Sequence, residues 1–259
     1  MGRLTNRVAL ITGGSKGIGL AIARAFAAEG ASIALAARNE VTLAQAVAEI
    51  EGIGVPAMAV SCDITDRERV HELPARIADA LGRIDILVNN AGAAESHKFI
   101  DHPDELWDWM LAVNLTSIYQ VTKAVVPGMV EHRWGRIINI ASVASKVGFN
   151  YMTAYAASKH GVLGLTRSLA VELNPYHITV NAVCPSYVDT PMTDAAVANI
   201  VARTGRSESE SRRYLEGVNP QNRLIAPEEV AAVALMLADE NARGITGQAI
   251  NVDGGLVMS

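Results

Sequence analysis

Thr12-Gly13-Gly14-Ser15-Lys16-Gly17-Ile18-Gly19 is a glycine-rich turn set between two patterns of different period. Before it, Val8–Thr12 is a short apolar and β-branched run that reads as a strand; after it, Ile18–Glu29 reads as a helix. Gly13, Gly17 and Gly19 let the chain turn tightly. With Ser15, Lys16 and Ile18 they bring backbone N–H groups to a point where a pyrophosphate can sit at the positive end of the helix. A nucleoside-triphosphate loop needs Gly-Lys followed by Ser or Thr, and Lys16 is followed by Gly17, so that alternative fails.

The same alternation continues outward. Further strands are predicted at Ser32–Ala36, Ala57–Ser61, Ile84–Val88, Arg136–Ala141, Thr179–Cys184 and Ala249–Val252. Helices are predicted at Thr42–Ile50, Arg67–Leu81, Glu105–Arg133 with a break near Asn114, Thr153–Leu173 and Pro227–Leu237. Strand runs such as Val8-Ala9-Leu10-Ile11 are nearly continuous rather than alternating, as expected when helices cover both faces of a parallel sheet. The expected fold is α/β, a doubly wound parallel sheet of about seven strands with helices on both faces. No linker or repeat divides residues 1–259, so a single dinucleotide-binding and catalytic domain is expected. Between residues 186 and 222 the sheet pattern lapses, and a segment that long inside a compact domain reads as a substrate loop or lid.

Nucleotide choice is read at the end of the second strand, where a carboxylate binds a ribose 2′-hydroxyl and an arginine accepts a 2′-phosphate. The chain has Ala36-Ala37-Arg38-Asn39 there. Arg38 supplies a planar fork suited to phosphate and Lys16 adds a second positive charge, so NADP(H) is expected over NAD(H), which stays possible. The bland alternative is a solvated Arg38 paired with Glu40.

Composition narrows the class. Half of the 259 residues are apolar, and 22 Lys+Arg against 27 Asp+Glu give a net charge of −5. That content excludes disorder, and the acidic balance gives no footprint for nucleic acid. No run approaches the roughly 18 apolar residues of a membrane span, and Met1–Leu10 lacks a signal-peptide core, so a cytoplasmic protein is expected. Cys62 and Cys184 read as buried thiols, the six His residues show no ligand spacing, and no metal is expected.

Ser142 stands at the end of the fifth predicted strand, with Tyr155 beyond it and Lys159 four residues later on the same helical face. The carboxyl end of a parallel strand is where open α/β sheets bind ligands, so the three converge on one crevice. Reducing a ketone needs a proton donor to the forming alkoxide. A free tyrosine, with a pKa of about 10, is poor at this near neutrality, whereas a nearby ammonium favours phenolate and a serine hydroxyl holds the substrate oxygen.

Taken together with Asp63, Asn89-Asn90-Ala91-Gly92, Asn114, Tyr155-Ala156-Ala157-Ser158-Lys159 and Asp253-Gly254-Gly255, these residues resemble the short-chain dehydrogenase/reductase family along essentially the whole chain. The resemblance implies a Rossmann fold, with Tyr155 as acid/base, Lys159 lowering its pKa and binding the nicotinamide ribose, Ser142 orienting the carbonyl and Asn114 anchoring a water behind Lys159. It further implies that Asp63 and Ile64 meet the adenine, that Asn90, Ala91 and Gly92 flank the adenosine ribose, and that Pro185, Val188 and Thr190 lie at the nicotinamide end. Pro185-Ser186 stands where the family has Pro-Gly, which narrows the approach to nicotinamide.

Within the family, Val180-Asn181-Ala182-Val183-Cys184-Pro185, Thr190-Pro191-Met192 and Asp104-Glu105-Leu106-Trp107 are similar to 3-oxoacyl thioester reductases and polyketide ketoreductases. Arg133 matches one basic residue that docks an acidic carrier protein, while Tyr176 replaces the other. A coenzyme A thioester, a free ketone, or oxidation of a secondary alcohol or hydroxyacyl-CoA with NAD remains open. In the lid, Arg203, Arg206, Arg212 and Arg213 interleave with Glu208, Glu210 and Glu216 and read as a solvated helix surface rather than a phosphate grip. Tyr151, Met152, Tyr187 and Met192 are candidate pocket walls. A regulator that binds NADP(H) without turnover is expected to lack one of Ser142, Tyr155 or Lys159, and all three are present. The helices at Glu105–Arg133 and Thr153–Leu173 resemble those with which the family assembles, so a homotetramer is expected.

Overall fold

The computed structural model describes residues 2–258. In chain order it contains β1 (Val8–Thr12), α1 (Gly17–Ala28), β2 (Ser32–Ala37), α2 (Glu40–Glu51), β3 (Ala57–Ser61), α3 (Arg67–Leu81), β4 (Ile86–Asn89), α4 (Asp104–Leu111) and α5 (Ser117–His132). There follow β5 (Gly135–Ile140), α6 (Thr153–Leu173), β6 (Ile178–Pro185), α7 (Pro191–Thr204), α8 (Glu208–Glu216), α9 (Pro227–Ala238) and β7 (Ala249–Val252). The strands form one parallel sheet in the order β3-β2-β1-β4-β5-β6-β7.

The continuous apolar runs have a direct cause. Ala9 and Ile11 face one layer, packing with Ile22 and Phe26 of α1 and Val230 and Ala234 of α9. Leu10 and its neighbour Leu87 face the other, packing with Leu73 and Ile77 of α3 and Val121 and Val125 of α5. Alternate side chains on a strand point to opposite faces, so a sheet with two cores needs apolar residues at every position. Each fully buried Ile, Leu or Phe contributes roughly 1.5–3 kcal/mol, which makes these layers the scaffold that holds the loops in place.

Helix starts follow the side chains available. Asn39 accepts from Thr42 N at the start of α2, Asp66 accepts from Glu68 N and Arg69 N at α3, and Ser207 and Glu210 form a reciprocal box at α8. At α1 no side chain caps the first turn and no acidic residue lies in it.

Three expectations are corrected. The break near Asn114 is a π-helical turn, Ala112–Thr116, that joins α4 directly to α5. An extra residue in the turn rotates Asn114 inward without interrupting the rod. The fourth strand begins at Ile86 rather than Ile84, and Asp85 just before it directs its carboxylate to Val8 N and two arginines. Residues 186–222 are largely two helices, α7 and α8. They share a small apolar cluster of Val197, Leu215 and Leu224, too sparse to stamp a clear helical period on the sequence.

Candidate active site

The strand order reverses between β1 and β4, and the loops that leave their carboxyl ends part there. Gly13 and Gly17 have φ of 63° and 55°, the left-handed region that glycine enters without strain. A Cβ on Gly13 meets Ala91 Cα and Asn90 Nδ2 at 2.9 Å, and one on Gly19 meets Asn90 Nδ2 and Gly13 O at 2.5 Å. The turn is tied to the β4 loop: Asn90 Nδ2 donates to Thr12 O (3.0 Å) and Gly13 O (3.1 Å), and Thr12 Oγ1 accepts from Asn90 N (3.0 Å) and Ala91 N (3.1 Å). In the sequence Thr12 reads only as the end of a strand. Its hydroxyl is what joins the two loops, and no spacing motif announces that.

This cradle fits the diphosphate of a dinucleotide. The uncapped, unneutralised start of α1 presents free N–H groups and positive dipole to the space above Ser15, Lys16 and Ile18, with Lys16 itself exposed. The β6–α7 connection arches over it, with Thr190 Cγ2 lying 3.2 Å from where a Gly17 Cβ would stand. Gly92 is equally constrained, since a Cβ there lies 2.9 Å from Asn114 Oδ1.

Arg38 follows β2 and is exposed, and it forms no ion pair with Glu40 or any other described residue. Its charge reaches Asp63. Hydrogen bonds from Thr65 N (2.9 Å) and Thr65 Oγ1 (2.7 Å) are the main reason that Asp63 sits below the ordinary carboxylate range, with Arg38 adding a smaller pull. Ile64 is buried beside it.

At the other side of the crevice, Ser142 follows β5. Its Oγ accepts from Ala144 N (3.1 Å), its backbone N–H donates to Ser145 Oγ (3.2 Å), and it lies near enough to Tyr155 to act on that phenol in the lowering direction. Tyr155 and Lys159 project from one face of α6. Lys159 is 4% exposed, its Nζ donates to Ile140 O at 2.9 Å, and it lies 5.8 Å from the Tyr155 ring centre. Burial without a carboxylate partner pulls this lysine down to about 8.

The sequence expectation that Lys159 holds the phenol below its ordinary value is not what this geometry gives. Burial is the leading influence on Tyr155 and raises it, while the neighbouring Ser142 works in the lowering direction. Asn114 is fully buried and faces the same pocket floor. Its amide brackets one residue, accepting from Ala93 N and donating to Ala93 O, both at 2.9 Å, which pins the loop after Gly92.

Pro185 closes β6 opposite Val252, and Ser186 N donates to Val252 O at 3.3 Å. Val188 is buried and bridged to Ile225, so residues 189–224 leave and return through one clamped neck. Within that excursion Arg212 pairs with Asp189 (2.6 Å) and Asp194 (3.3 Å) and is used internally, and Arg206 lies over the Tyr214 ring at 5.4 Å. Arg203, Arg206 and Arg213 are exposed, as a solvated surface requires. Tyr187 is half-buried toward Tyr155, whereas Tyr151 and Met192 are largely exposed at the rim. Arg133 donates to Pro175 O at 2.8 Å. Cys62 and Cys184 are both buried free thiols.

Comparison with known proteins agrees with this geometry. The family model for short chain dehydrogenase matches residues 7–200. The 3-oxoacyl-acyl-carrier-protein reductase FabG of Thermotoga maritima is 39% identical over 99% of this chain and 100% of its own length. A D-beta-hydroxybutyrate dehydrogenase of Rhizobium meliloti is 39% identical over 96% of this chain and 98% of its own. The crystal structure of a single-residue variant of actinorhodin polyketide ketoreductase with NADPH superposes with a TM-score of 0.94, at 38% identity and 99% coverage of both chains. The chain therefore belongs to the short-chain dehydrogenase/reductase family and is an oxidoreductase.

Proposed function

We propose that this chain is an NADP(H)-dependent ketoreductase whose substrate is a 3-oxoacyl thioester or a closely related ketone. The observation that carries the reading is the meeting of Ser142, Tyr155 and Lys159 at the end of β5, across the crevice from an uncapped glycine turn. Arg38, exposed and without an ion-pair partner beside Asp63, supports a 2′-phosphate as the nucleotide's distinguishing group. Thr12, Asn90 and the glycines hold the diphosphate end, and Pro185, Val188 and Thr190 border the nicotinamide end. Similarity to a ketoreductase crystallised with NADPH points the same way.

The bound nucleotide supplies a hydride to the carbonyl carbon. Ser142 Oγ holds the carbonyl oxygen, and Tyr155 Oη gives that oxygen its proton as negative charge develops there. The resulting phenolate lies beside the Lys159 ammonium, whose Nζ donates to the Ile140 carbonyl. Burial raises the phenol's pKa, so the proton stays on Tyr155 until negative charge develops on the substrate oxygen. Residues 186–222 serve as the lid over the substrate. Trp107, Trp109 and Tyr119 are partly exposed on α4 and α5, a surface suited to a second copy in a homotetramer.

Initial rates with NADPH and NADH against acetoacetyl-coenzyme A test the reading; turnover favouring NADPH is expected. Likeness to a hydroxybutyrate dehydrogenase keeps an NAD-linked oxidation as the second reading. Faster turnover of 3-hydroxybutyrate with NAD than of the thioester with NADPH overturns the first in favour of the second.

A further inference from the structure

Helix α6 carries both Tyr155 and Lys159, and its inner face mixes small residues, Ala154, Ser158 and Ala170, with Val162, Leu163 and Leu173. Gly161 passes so close to Leu115 that a Cβ there meets Leu115 Cδ2 at 2.6 Å. Apolar packing holds the helix against the sheet but is non-directional, so it does not by itself fix which strand atom a polar group meets.

Directional bonds supply what packing does not. Lys159 Nζ reaches Ile140 O at 2.9 Å. Two turns further along the same face, Thr166 Oγ1 accepts from Asn139 Nδ2 at 2.9 Å and donates to Val162 O at 2.7 Å. Asn139 immediately precedes Ile140 on β5, and its Oδ1 accepts from Asn89 Nδ2 on β4 at 2.9 Å. Asn89 Nδ2 also donates to Thr122 Oγ1 on α5 at 3.1 Å. All four side chains are buried.

We propose that Asn139 and Thr166, braced by Asn89, are positioning residues that pin α6 to β5 so that Lys159 meets the Ile140 carbonyl and Tyr155 meets Ser142. The proposal rests on the reductase reading of those two residues but not on the identity of the substrate. What the network provides is a fixed distance between one helix and one strand, at the strand residue next to the carbonyl that Lys159 uses.

The test reads Lys159 directly. The titratable groups facing it are Tyr155 on its own helix and Cys184 on β6. In protein labelled with 13Cε-lysine, the Lys159 signal is expected to titrate near 8. Thr166→Val removes the pin with little change of shape; as the Ile140 contact loosens, the ammonium loses support and the midpoint is expected to fall by about half a pH unit or more. Thr166→Ser restores it, and Thr122→Val, which cuts only the branch to α5, leaves it within about 0.2 unit. Turnover of acetoacetyl-coenzyme A by Thr166→Val is expected to drop roughly tenfold in kcat, with KM for NADPH within about twofold. A folded Thr166→Val with the wild-type lysine midpoint overturns the proposal, as do equal shifts in Thr166→Val and Thr122→Val; Thr166→Ala repeats the cut if the valine variant does not fold. A wild-type enzyme inert toward the thioester defeats the substrate assignment alone, since the titration still decides the pin.

Discussion

The two ends of the sheet are made from the same strands and put to opposite uses. At the amino end, Arg136 is 1% exposed at the start of β5, its guanidinium 4.4 Å from the Trp134 ring centre, with Arg7 at 3.5 Å from the same ring. Glu240 Oε2 accepts from Trp134 Nε1 (2.8 Å) and Arg136 Nη2 (3.1 Å), and Asp85 accepts from Val8 N, Arg7 and Arg83. Apart from Arg136 Nε, the polar groups of this cluster answer one another. At the carboxyl end, Lys159 is buried without a carboxylate, α1 is uncapped, and Arg38 has no ion-pair partner among the described residues. A fold that can satisfy its charges at one end and leaves them unmatched at the other reserves the second set for a ligand.

The contrast breaks first at Tyr155. Tyr155→Phe removes the proton donor and little else, so kcat for ketone reduction is expected to fall by roughly 10²–10⁴ while NADPH affinity, read by cofactor fluorescence, stays within a few-fold. Near-wild-type turnover in that variant means the proton comes from elsewhere.

Arg38→Asp reverses the charge that faces the nucleotide. Charge-assisted hydrogen bonds are worth about 1.5–3 kcal/mol, so the NADPH/NADH ratio of kcat/KM is expected to drop by roughly 10–100-fold. An unchanged ratio leaves Arg38 as a solvated strand-end residue.

Lys159→Met sharpens the comparison because its two effects have opposite signs. Activity is expected to be lost, yet the ligand-free protein gains stability, since burying this ammonium unpaired works against folding. The lysine sits at about 8, below its ordinary 10.5, so between those values the unfolded chain holds a proton that the native state lacks. Native stability therefore rises with pH through that window and is lowest, for this group, below pH 8. In Lys159→Met the rise disappears and Tm at pH 7 increases by several degrees. A lower Tm for the methionine variant contradicts an unmatched carboxyl end.

Much of this arrangement is legible in the sequence, and the difference between the two ends explains what is not. The glycine turn, Ser142, Tyr155 and Lys159 carry fixed spacing because backbone geometry and an i,i+4 helical face demand it, and the structure brings them to one crevice. The continuous strands are readable because both sheet faces are buried. Asn139, Thr166 and Thr12 are not, since their partners lie on other elements, up to 79 residues away in the case of Thr12 and Ala91. The extent of α7 and α8 escapes a sequence reading, although their arginines read as a helix surface, because only Val197, Leu215 and Leu224 of their shared cluster are fully buried. The direction of the Tyr155 shift escapes it too, because burial is a property of the assembled crevice and has no spacing.

The smallest effect belongs to the amino end, where the comparison predicts loss of stability without loss of chemistry. Glu240→Ala removes the carboxylate shared by Trp134 and Arg136, leaving a buried guanidinium stacked on an indole but without its ion pair. A fully buried pair broken in this way costs about 3–5 kcal/mol, but the Glu240 side chain is 54% exposed and water recovers part of that. About 1 kcal/mol is the expected remainder, seen as a Tm lowered by roughly 2–4 °C. Because the cluster lies at the opposite end of the strands from Ser142 and the glycine turn, kcat and both cofactor affinities of the folded variant stay at wild-type values. A changed NADPH/NADH preference in Glu240→Ala shows that the two ends are coupled through β5, and the division drawn between them then fails.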